Sequence, residues 1–171
     1  MEQVIYHYTT LEYFVKIIES GVLKVSDFER SNKVKPAACW LSLNPIWENT
    51  ASKAIKNNET GETATLAFEE QHEILGCARF VLPFKKHELC TWAKYKYASN
   101  TPIKLFENMT TFGFQKGSNP TDWYASFNSI PLTDVLAFEI WDGSDWVNHN
   151  DDLEDAITLQ YERLNAVTFN A

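Results

Sequence analysis

The stretch "VIYHYTTLEYFVKIIESGVLKVSD", residues 4–27, decides the fold of this chain. Apart from His7, its first five residues are β-branched or aromatic. This composition predicts a short strand from Val4 to Tyr8. Apolar residues then recur at helical spacing, at Leu11, Phe14, Ile17 or Ile18, and Val22. A strand therefore gives way directly to an amphipathic helix, and the corner between them carries His7, Tyr8, Thr9 and Thr10.

Both ends of this helix carry sequence signals. Thr9 is predicted to be the N-cap, and Glu12, three residues later, completes a capping box. Gly21 is predicted to end the helix, because glycine adopts the left-handed backbone of a helix C-terminus without strain. A second short strand is predicted from Leu23 to Val25, so the chain opens as β-α-β.

Further elements follow along the rest of the chain. Strands are predicted at residues 38–43, 63–68, 74–82, 123–130 and 135–141, and helices at residues 46–55, 87–98 and 151–164. Residues 26–36 are predicted to be a loop, and residues 99–121, which contain several Gly and Pro, have no assignment. Because no repeat or linker interrupts the pattern, we predict one α+β domain over residues 1–171.

Composition and charge limit the possible functions. The chain is 44% hydrophobic and 14% aromatic, which is typical of a packed domain with enough aromatic residues to line a ligand pocket. Its net charge of −8 argues against broad binding to membranes or nucleic acids. Nucleic acid is expected only through a local basic patch, which could combine Lys33, Lys35, Lys85, Lys86, Lys94 and Lys96.

The cysteines and histidines give no metal signature. Cys39, Cys77 and Cys90 are odd in number and widely spaced, which is typical of a reducing compartment and not of a zinc site. The first residues lack the basic and apolar pattern of a signal peptide, and no apolar run reaches membrane-spanning length, so we expect neither a signal peptide nor a membrane span. We therefore expect a cytoplasmic protein with no metal and no membrane partner.

The corner at His7 is the first candidate site. An imidazole, the Tyr8 phenol and the Thr9 and Thr10 hydroxyls lie beside a helix N-terminus, where free N–H groups attract anions. Such a group of side chains can bind a ribose and a phosphate together. The alternative is that His7 only completes a strand as a half-buried residue.

A second candidate pairs Trp40 with Ser42 on one face of the strand at residues 38–43, while Cys39, Leu41 and Leu43 face the other way. An indole stacks on planar rings, and a hydroxyl next to it can hydrogen-bond an amide. The alternative is a core tryptophan beside a surface serine.

Two carboxylates are candidate acids. Asp122 opens an aromatic strand after a loop, although it can also be a simple turn residue. Glu139 lies between apolar residues of the strand at 135–141. It either faces water or faces a cleft, where burial would raise its pKa.

Taken together, these motifs resemble the ADP-ribosyltransferase-like fold. "IYHYTTLEYFVKIIESGVLKVS" is similar to its opening strand and helix, as it also is to small bacterial and phage proteins thought to share that fold. "ACWLSLNPIWENTASKA" resembles its second motif, and "DWYASFNSIP" and "LAFEIWDG" fit the order of its later strands. The resemblance implies a split central β-sheet with flanking helices.

The resemblance also implies roles for the candidate residues. His7, supported by Thr9 and next to Tyr8, would hold a ribose of NAD. Trp40, where the family usually has tyrosine, would stack on nicotinamide, and Ser42 would hold its carboxamide. A late acid would stabilise the oxocarbenium-like transition state; strand order favours Asp122, whereas residue type favours Glu139.

The expected function is therefore transfer of ADP-ribose from NAD, as substrate, to an unknown macromolecular or small-molecule acceptor. The family's toxin branch makes a toxin or defence-related role one implication. Two alternatives remain open: a non-catalytic module that binds NAD or another nucleotide, and a phage or mobile-element inhibitor protein. NAD binding separates the first two possibilities from the third.

Overall fold

The computed structural model describes residues 3–26, 37–56 and 60–168. Its helices are α1 (Leu11–Ser20), α2 (Phe68–Leu75), α3 (Trp92–Ala98), α4 (Ile103–Gln115) and α5 (Leu153–Thr168). Its strands are β1 (Val4–Thr10), β2 (Val22–Leu23), β3 (Cys39–Ser42), β4 (Ala54–Lys56), β5 (Thr63–Thr65), β6 (Cys77–Pro83), β7 (Cys90–Thr91), β8 (Trp123–Ser126), β9 (Ile130–Pro131), β10 (Ala137–Trp141) and β11 (Trp146–Asn148). Helices and strands are thus mixed, as the α+β prediction requires.

A seven-stranded sheet organises these elements, in the order β11-β10-β6-β1-β3-β8-β7. Each neighbouring pair runs antiparallel. Two small ladders, β2 with β9 and β4 with β5, lie outside it. The antiparallel sheet confirms the α+β class, while the specific ADP-ribosyltransferase-like arrangement stays a prediction.

Strand β1 lies at the centre of the sheet, and its two sides differ. On one side all seven of its residues pair with β6, from Val4 opposite Pro83 to Thr10 opposite Cys77. On the other side β1 pairs with β3 at a single position, where Tyr6 lies opposite Ser42. The sheet therefore opens between β1 and β3 beyond that pair.

Alternation along β1 and β3 sends side chains to two different layers. Ile5 and Leu41 enter the main core together with Phe14 of α1, Phe80 of β6 and Ala156 of α5. Tyr6, Tyr8, Trp40 and Ser42 belong to the opposite face of their strands. The predicted facing of Trp40 and Ser42 is confirmed, because Cys39 and Leu41 lie in this core.

Two aromatic clusters cover the opposite face of the sheet. One centres on Trp92, Tyr95 and Trp123, with Trp40 packed against it. The other contains Tyr8 and Trp47, with Trp141 and Trp146 packed against it. The open part of the sheet lies between these clusters, because Tyr8 and Trp40 come from β1 and β3.

The predicted opening strand and helix agree closely with the structure, whereas the second strand is Val22–Leu23 instead of Leu23–Val25 and pairs with β9 outside the main sheet. Helix α1 ends where expected, since Gly21 has φ of 70° and its N–H donates to the Ile17 and Ile18 carbonyls. The N-cap is Thr10, one residue later than predicted, and its side chain makes no capping hydrogen bond. Strand β1 extends two residues further than predicted because β6 pairs with it up to Thr10.

The predicted helix at residues 46–55 is wrong. Only Asn49–Ala51 form a short 3-10 turn, and Ala54–Lys56 form β4. The Asn44 side chain accepts from the Ile46 N–H and donates to the Trp47 carbonyl, so it takes backbone groups that a helix would need. Glu48 caps the 3-10 turn by accepting from the Thr50 N–H.

Other segments also differ from prediction. The strand predicted at 123–130 ends at Ser126, and Ile130 belongs to β9, which pairs with β2. The strand predicted at 63–68 stops at Thr65, and Ile74, the first residue of the strand predicted at 74–82, belongs to α2, which Gly76 ends. The helix predicted at 87–98 starts only at Trp92, because Cys90 and Thr91 pair with β8. The unassigned segment contains α4, while predicted loop residues 27–36 lie outside the described residues.

Candidate active site

A cavity of about 770 Å³ lies at the open part of the sheet. Its wall combines polar, charged and aromatic residues from β1, β3, the segment after β3, α3, α4 and β8. Among them are Tyr6, His7, Tyr8, Ser26, Trp40, Ser42, Glu48, Thr50, Lys53, Trp92, Asn108, Met109, Phe112 and Trp123. This volume is typical of a small-molecule site.

His7 lies where β1 and β3 separate. Its Nδ1 is 2.9 Å from the Trp40 carbonyl oxygen, and because a carbonyl only accepts, Nδ1 carries the proton. Burial lowers the pKa of His7, the hydrogen bond to Trp40 opposes this effect, and the charge of Lys53 adds to it. A neutral ring with a protonated Nδ1 leaves Nε2 as a hydrogen-bond acceptor.

Tyr8 is held in place by its hydroxyl. It donates to the Asn44 carbonyl and accepts from Arg79 Nη1 at 3.3 Å. Burial raises the pKa of Tyr8 far above its ordinary value. Tyr8 therefore stays protonated, and its role in the cavity is to shape the wall beside His7.

Trp40 forms the aromatic wall. Its ring centroid lies 4.7 Å from that of Tyr95 and 5.9 Å from that of Trp92. Trp92 also stacks on Phe106 of α4 at 4.5 Å, so the indole of Trp40 rests on a rigid aromatic layer. A flat ligand ring can lie against such a supported indole.

Glu48 is the carboxylate in the cavity wall, and sequence reasoning missed it. Its Oε1 accepts from the Thr50 N–H at 3.3 Å, from the Thr50 hydroxyl at 2.9 Å and from the Ser118 hydroxyl. Its Oε2 accepts from the Ser42 hydroxyl at 2.9 Å. Because a carboxylate oxygen accepts about two hydrogen bonds, Oε2 keeps capacity for a ligand.

The neighbouring Trp47 explains why Glu48 points into the cavity. Trp47 is buried in an aromatic cluster, 5.1 Å from the Tyr8 ring and stacked 4.8 Å from Phe68. Its Nε1 donates to the Ser52 hydroxyl. With Trp47 fixed in that cluster, the next residue, Glu48, lies within hydrogen-bond distance of Ser42. The signal in the sequence was an aromatic residue next to an acid, shortly after the Asn44-Pro45 turn.

Lys53 adds a basic residue to the lining of the same cavity. Its backbone is fixed, since its N–H donates to Gln71 Oε1 at 2.6 Å and its carbonyl accepts from the Leu66 N–H. Its ammonium group lies 5.5 Å from the centre of the Tyr13 ring. Burial lowers the pKa of Lys53.

The structure brings four of the predicted site residues together and separates three. His7, Tyr8, Trp40 and Ser42 all line the cavity, whereas Thr9, Asp122 and Glu139 do not. Thr9 is buried, and Asp122 ends a 3-10 turn, where its carbonyl accepts from the Leu43 N–H. Glu139 forms an ion pair with Arg79.

The structure bears only in part on the expectations about metals, membranes and nucleic acids. Among the described residues, no group of three or more His, Cys, Asp or Glu is arranged to hold a metal ion. Within that same part of the chain, no helix combines the length and the apolar character needed to cross a lipid bilayer. Of the basic patch, Lys33 and Lys35 lie outside the described residues, and Lys86 pairs with Asp134 at 2.6 Å.

Comparison with models of known protein families, with curated proteins and with solved structures finds no match for this chain in any of the three. The cavity combines a neutral imidazole, a supported indole, a buried carboxylate and a lysine around one space.

Proposed function

We propose that the protein transfers ADP-ribose from NAD to an acceptor. The observation that carries this proposal is the meeting of His7, Trp40 and Ser42 around one cavity of about 770 Å³. His7 comes from the first motif, and Trp40 and Ser42 come from the second, which begins about 30 residues later in the sequence; the resemblance of each motif implies a role in NAD binding. Their convergence, together with the carboxylate of Glu48, supplies the main groups that the reaction needs.

Glu48 is the proposed catalytic carboxylate, in place of Asp122 or Glu139. The bond between C1′ of the ribose and the nicotinamide nitrogen breaks, and nicotinamide leaves with the bonding electron pair. Positive charge develops at C1′, and a preorganised carboxylate nearby stabilises it. An acceptor nucleophile, or water, then forms the new bond to C1′ and loses its proton.

The other cavity residues hold the substrate in the reactive position. His7 Nε2 accepts a hydrogen bond from a ribose hydroxyl, and the Trp40 indole stacks on the nicotinamide ring. Ser42 differs from the expected role, because its hydroxyl already donates to Glu48 and accepts from the Asn44 N–H at 3.1 Å. We assign it to orienting Glu48 and not to holding the carboxamide.

The test combines calorimetric titration with NAD and chromatographic detection of nicotinamide. We expect the wild type to bind NAD and release nicotinamide. Glu48→Gln should lower the release rate about 100- to 1000-fold, as loss of a single electrostatic group commonly does, with a much smaller change in NAD affinity. Asp122→Asn is the matched control, because its carboxylate lies outside the cavity lining.

The outcomes separate the parts of the proposal. Absence of NAD binding by the wild type would refute the proposed function. Release unchanged in Glu48→Gln but lost in Asp122→Asn would move the catalytic role to Asp122. A folded Glu48→Gln protein that binds NAD without turning it over would support Glu48.

A second candidate is a binding module that holds NAD or another nucleotide without turnover. It is favoured by the placement of Asp122 and Glu139 outside the cavity and by the engagement of Glu48 Oε1 with Thr50 and Ser118. NAD binding by the wild type with no nicotinamide release, in the presence of candidate acceptors, would support this module over the enzyme.

A further inference from the structure

The cavity contains a cation without a carboxylate partner. Among the described residues, no Asp or Glu oxygen forms an ion pair with the Lys53 ammonium group, although Glu48 belongs to the same cavity wall. The other basic group there, His7, is held neutral by burial.

The surroundings of Lys53 favour an anion over a structural role for its charge. Lys53 is half-buried, and an ammonium group that is partly withdrawn from water without a counter-ion loses part of its hydration and gains little in return. The negative charge of Glu48 already receives hydrogen bonds from Ser42, Thr50 and Ser118. An anionic group of a ligand would supply the missing partner of Lys53.

The aromatic wall adds a second requirement on the ligand. Trp40 packs against Trp92 and Tyr95 of α3, whereas Lys53 packs over Tyr13 of α1. The two lining residues therefore have separate neighbours, and Tyr13 itself lies outside the lining. A ligand that contacts both carries a planar ring and, some distance from it, a negative charge.

We propose that this cavity binds a phosphate or diphosphate group through Lys53 while a planar ring of the same ligand lies against Trp40. The ligand class is a nucleotide or dinucleotide. The inference rests on the proposed function in taking this cavity as the ligand site, but it does not require turnover. The lowered pKa of Lys53 agrees with it, because an anion would restore the ammonium form.

Inorganic pyrophosphate is the probe, because it presents the diphosphate without a ring. Calorimetric titration should show one binding event in the wild type, weakened by added salt. Lys53→Ala should weaken this binding about tenfold or more, the usual effect of losing a charge-assisted hydrogen bond. Lys53→Arg should retain most of the affinity, because it keeps the charge.

Lys104→Ala is the matched control, since Lys104 is an exposed lysine of α4 outside the cavity lining. It should bind pyrophosphate like the wild type. Circular dichroism of Lys53→Ala should be native, because no described carboxylate depends on the amine. No pyrophosphate binding by the wild type, or equal binding by Lys53→Ala, would overturn the inference.

NAD separates this inference from the proposed function. Pyrophosphate binding through Lys53 without NAD binding would support the anion site and refute ADP-ribosyl transfer. NAD turnover unaffected by Lys53→Ala would leave the transferase standing and refute the role of Lys53. Weaker NAD binding in Lys53→Ala, with nicotinamide riboside binding unchanged, would place the diphosphate at Lys53.

Discussion

Glu48 shows how much the role of one residue depends on its neighbours. In the sequence it is an acid between Trp47 and Asn49, inside a segment that is predicted to be a helix. In the fold it is buried, and hydroxyl groups of Ser42, Thr50 and Ser118 surround it. Ser118 is 70 positions away along the chain, so no local pattern reveals this network.

His7 should make stability depend on pH. Burial lowers its pKa below the ordinary 6.5, so the unfolded chain takes up the proton first as the pH falls. The free energy of unfolding should then decrease between about pH 7 and the lower folded-state pKa. Burial lowers the pKa of His72 as well and acts in the same direction.

Urea denaturation at about pH 7.5 and about pH 5.5 measures this effect. The wild type should be less stable at the lower pH. His7→Asn should show a smaller decrease, because the asparagine amide nitrogen takes the place of Nδ1 and can still donate to the Trp40 carbonyl, but asparagine does not titrate. An identical decrease in the variant and the wild type would contradict the assignment to His7.

The cysteines should differ in reactivity. Cys39 and Cys77 are buried, and burial raises the pKa of Cys77 to about 12. Burial also raises the pKa of Cys90, against the opposing charge of Lys94, but Cys90 is partly exposed. Since the thiolate is the reactive form, Cys90 should be alkylated first by iodoacetamide at about pH 8.

Mass spectrometry of the native protein checks this order. We expect one carbamidomethyl group, at Cys90, and labelling of Cys39 and Cys77 only after addition of denaturant. Cys90→Ser should remove the native-state reaction. Early labelling of Cys77 would show that its strand β6 opens more readily than its buried position indicates.

Among the elements, helix α4 forms one wall of the cavity through Asn108, Met109 and Phe112. Its close approach to β8 depends on Gly113, where an added Cβ would lie 2.6 Å from Trp123 Cζ2 and closer still to Cη2. Gly113→Ala should therefore destabilise the protein by about 1–3 kcal/mol. This clash exceeds the gain in helix propensity of about 1 kcal/mol.

Thr111→Ala is the control for this element, because Thr111 is exposed on the same helix. It should keep or slightly raise stability in urea denaturation, as alanine favours the helix. Gly113→Ala should also weaken binding to the cavity, since α4 must shift away from Trp123. A stabilised Gly113→Ala protein would mean that α4 does not pack on Trp123 as described.

A helix or strand could be predicted where all the local sequence signals favoured the same structure. Helix α1 has an apolar face and Gly21 at its end, so its pattern and its structure agree. At residues 46–55 two rules conflicted. Helical spacing favoured a helix, but the Asn44 side chain and the burial of Trp47 stabilised a turn instead.

At the scale of the whole molecule, Arg79 joins several parts of the sheet. Its guanidinium pairs with Glu139 of β10, donates to Tyr8 of β1 and to the Pro45 carbonyl, and lies 4.4 Å from the centre of the Trp146 ring of β11. Arg79→Met should lower stability by about 3–5 kcal/mol, because it leaves the Glu139 carboxylate without its buried partner.

Urea denaturation of Arg79→Met, Glu139→Gln and the double variant tests this connection. The double variant should lose less stability than the sum of the single variants, because the two residues interact directly. Glu12→Gln is the control, since its pair with Lys16 is exposed and should contribute about 1 kcal/mol or less. Additive losses for Arg79 and Glu139 would exclude a coupled pair.

The surroundings of a predicted acid also depend on the whole sheet, as Glu139 shows. The sequence placed Glu139 inside an apolar strand but could not tell which strand would lie beside it. The register of β10 against β6 puts it opposite Arg79, and this pairing accounts for its charge without a ligand. The single-domain prediction and the specific family arrangement stay predictions.

The sequence by itself determined the α+β class, the opening strand and helix, and the common facing of Trp40 and Ser42, because these follow from periodicities of two and 3.6 residues. The tertiary structure decided the rest. It separated β1 from β3, excluded Asp122 and Glu139 from the cavity, and introduced Glu48 and Lys53. Those outcomes depend on contacts between distant residues, and the packing of the whole sheet determines which of them form.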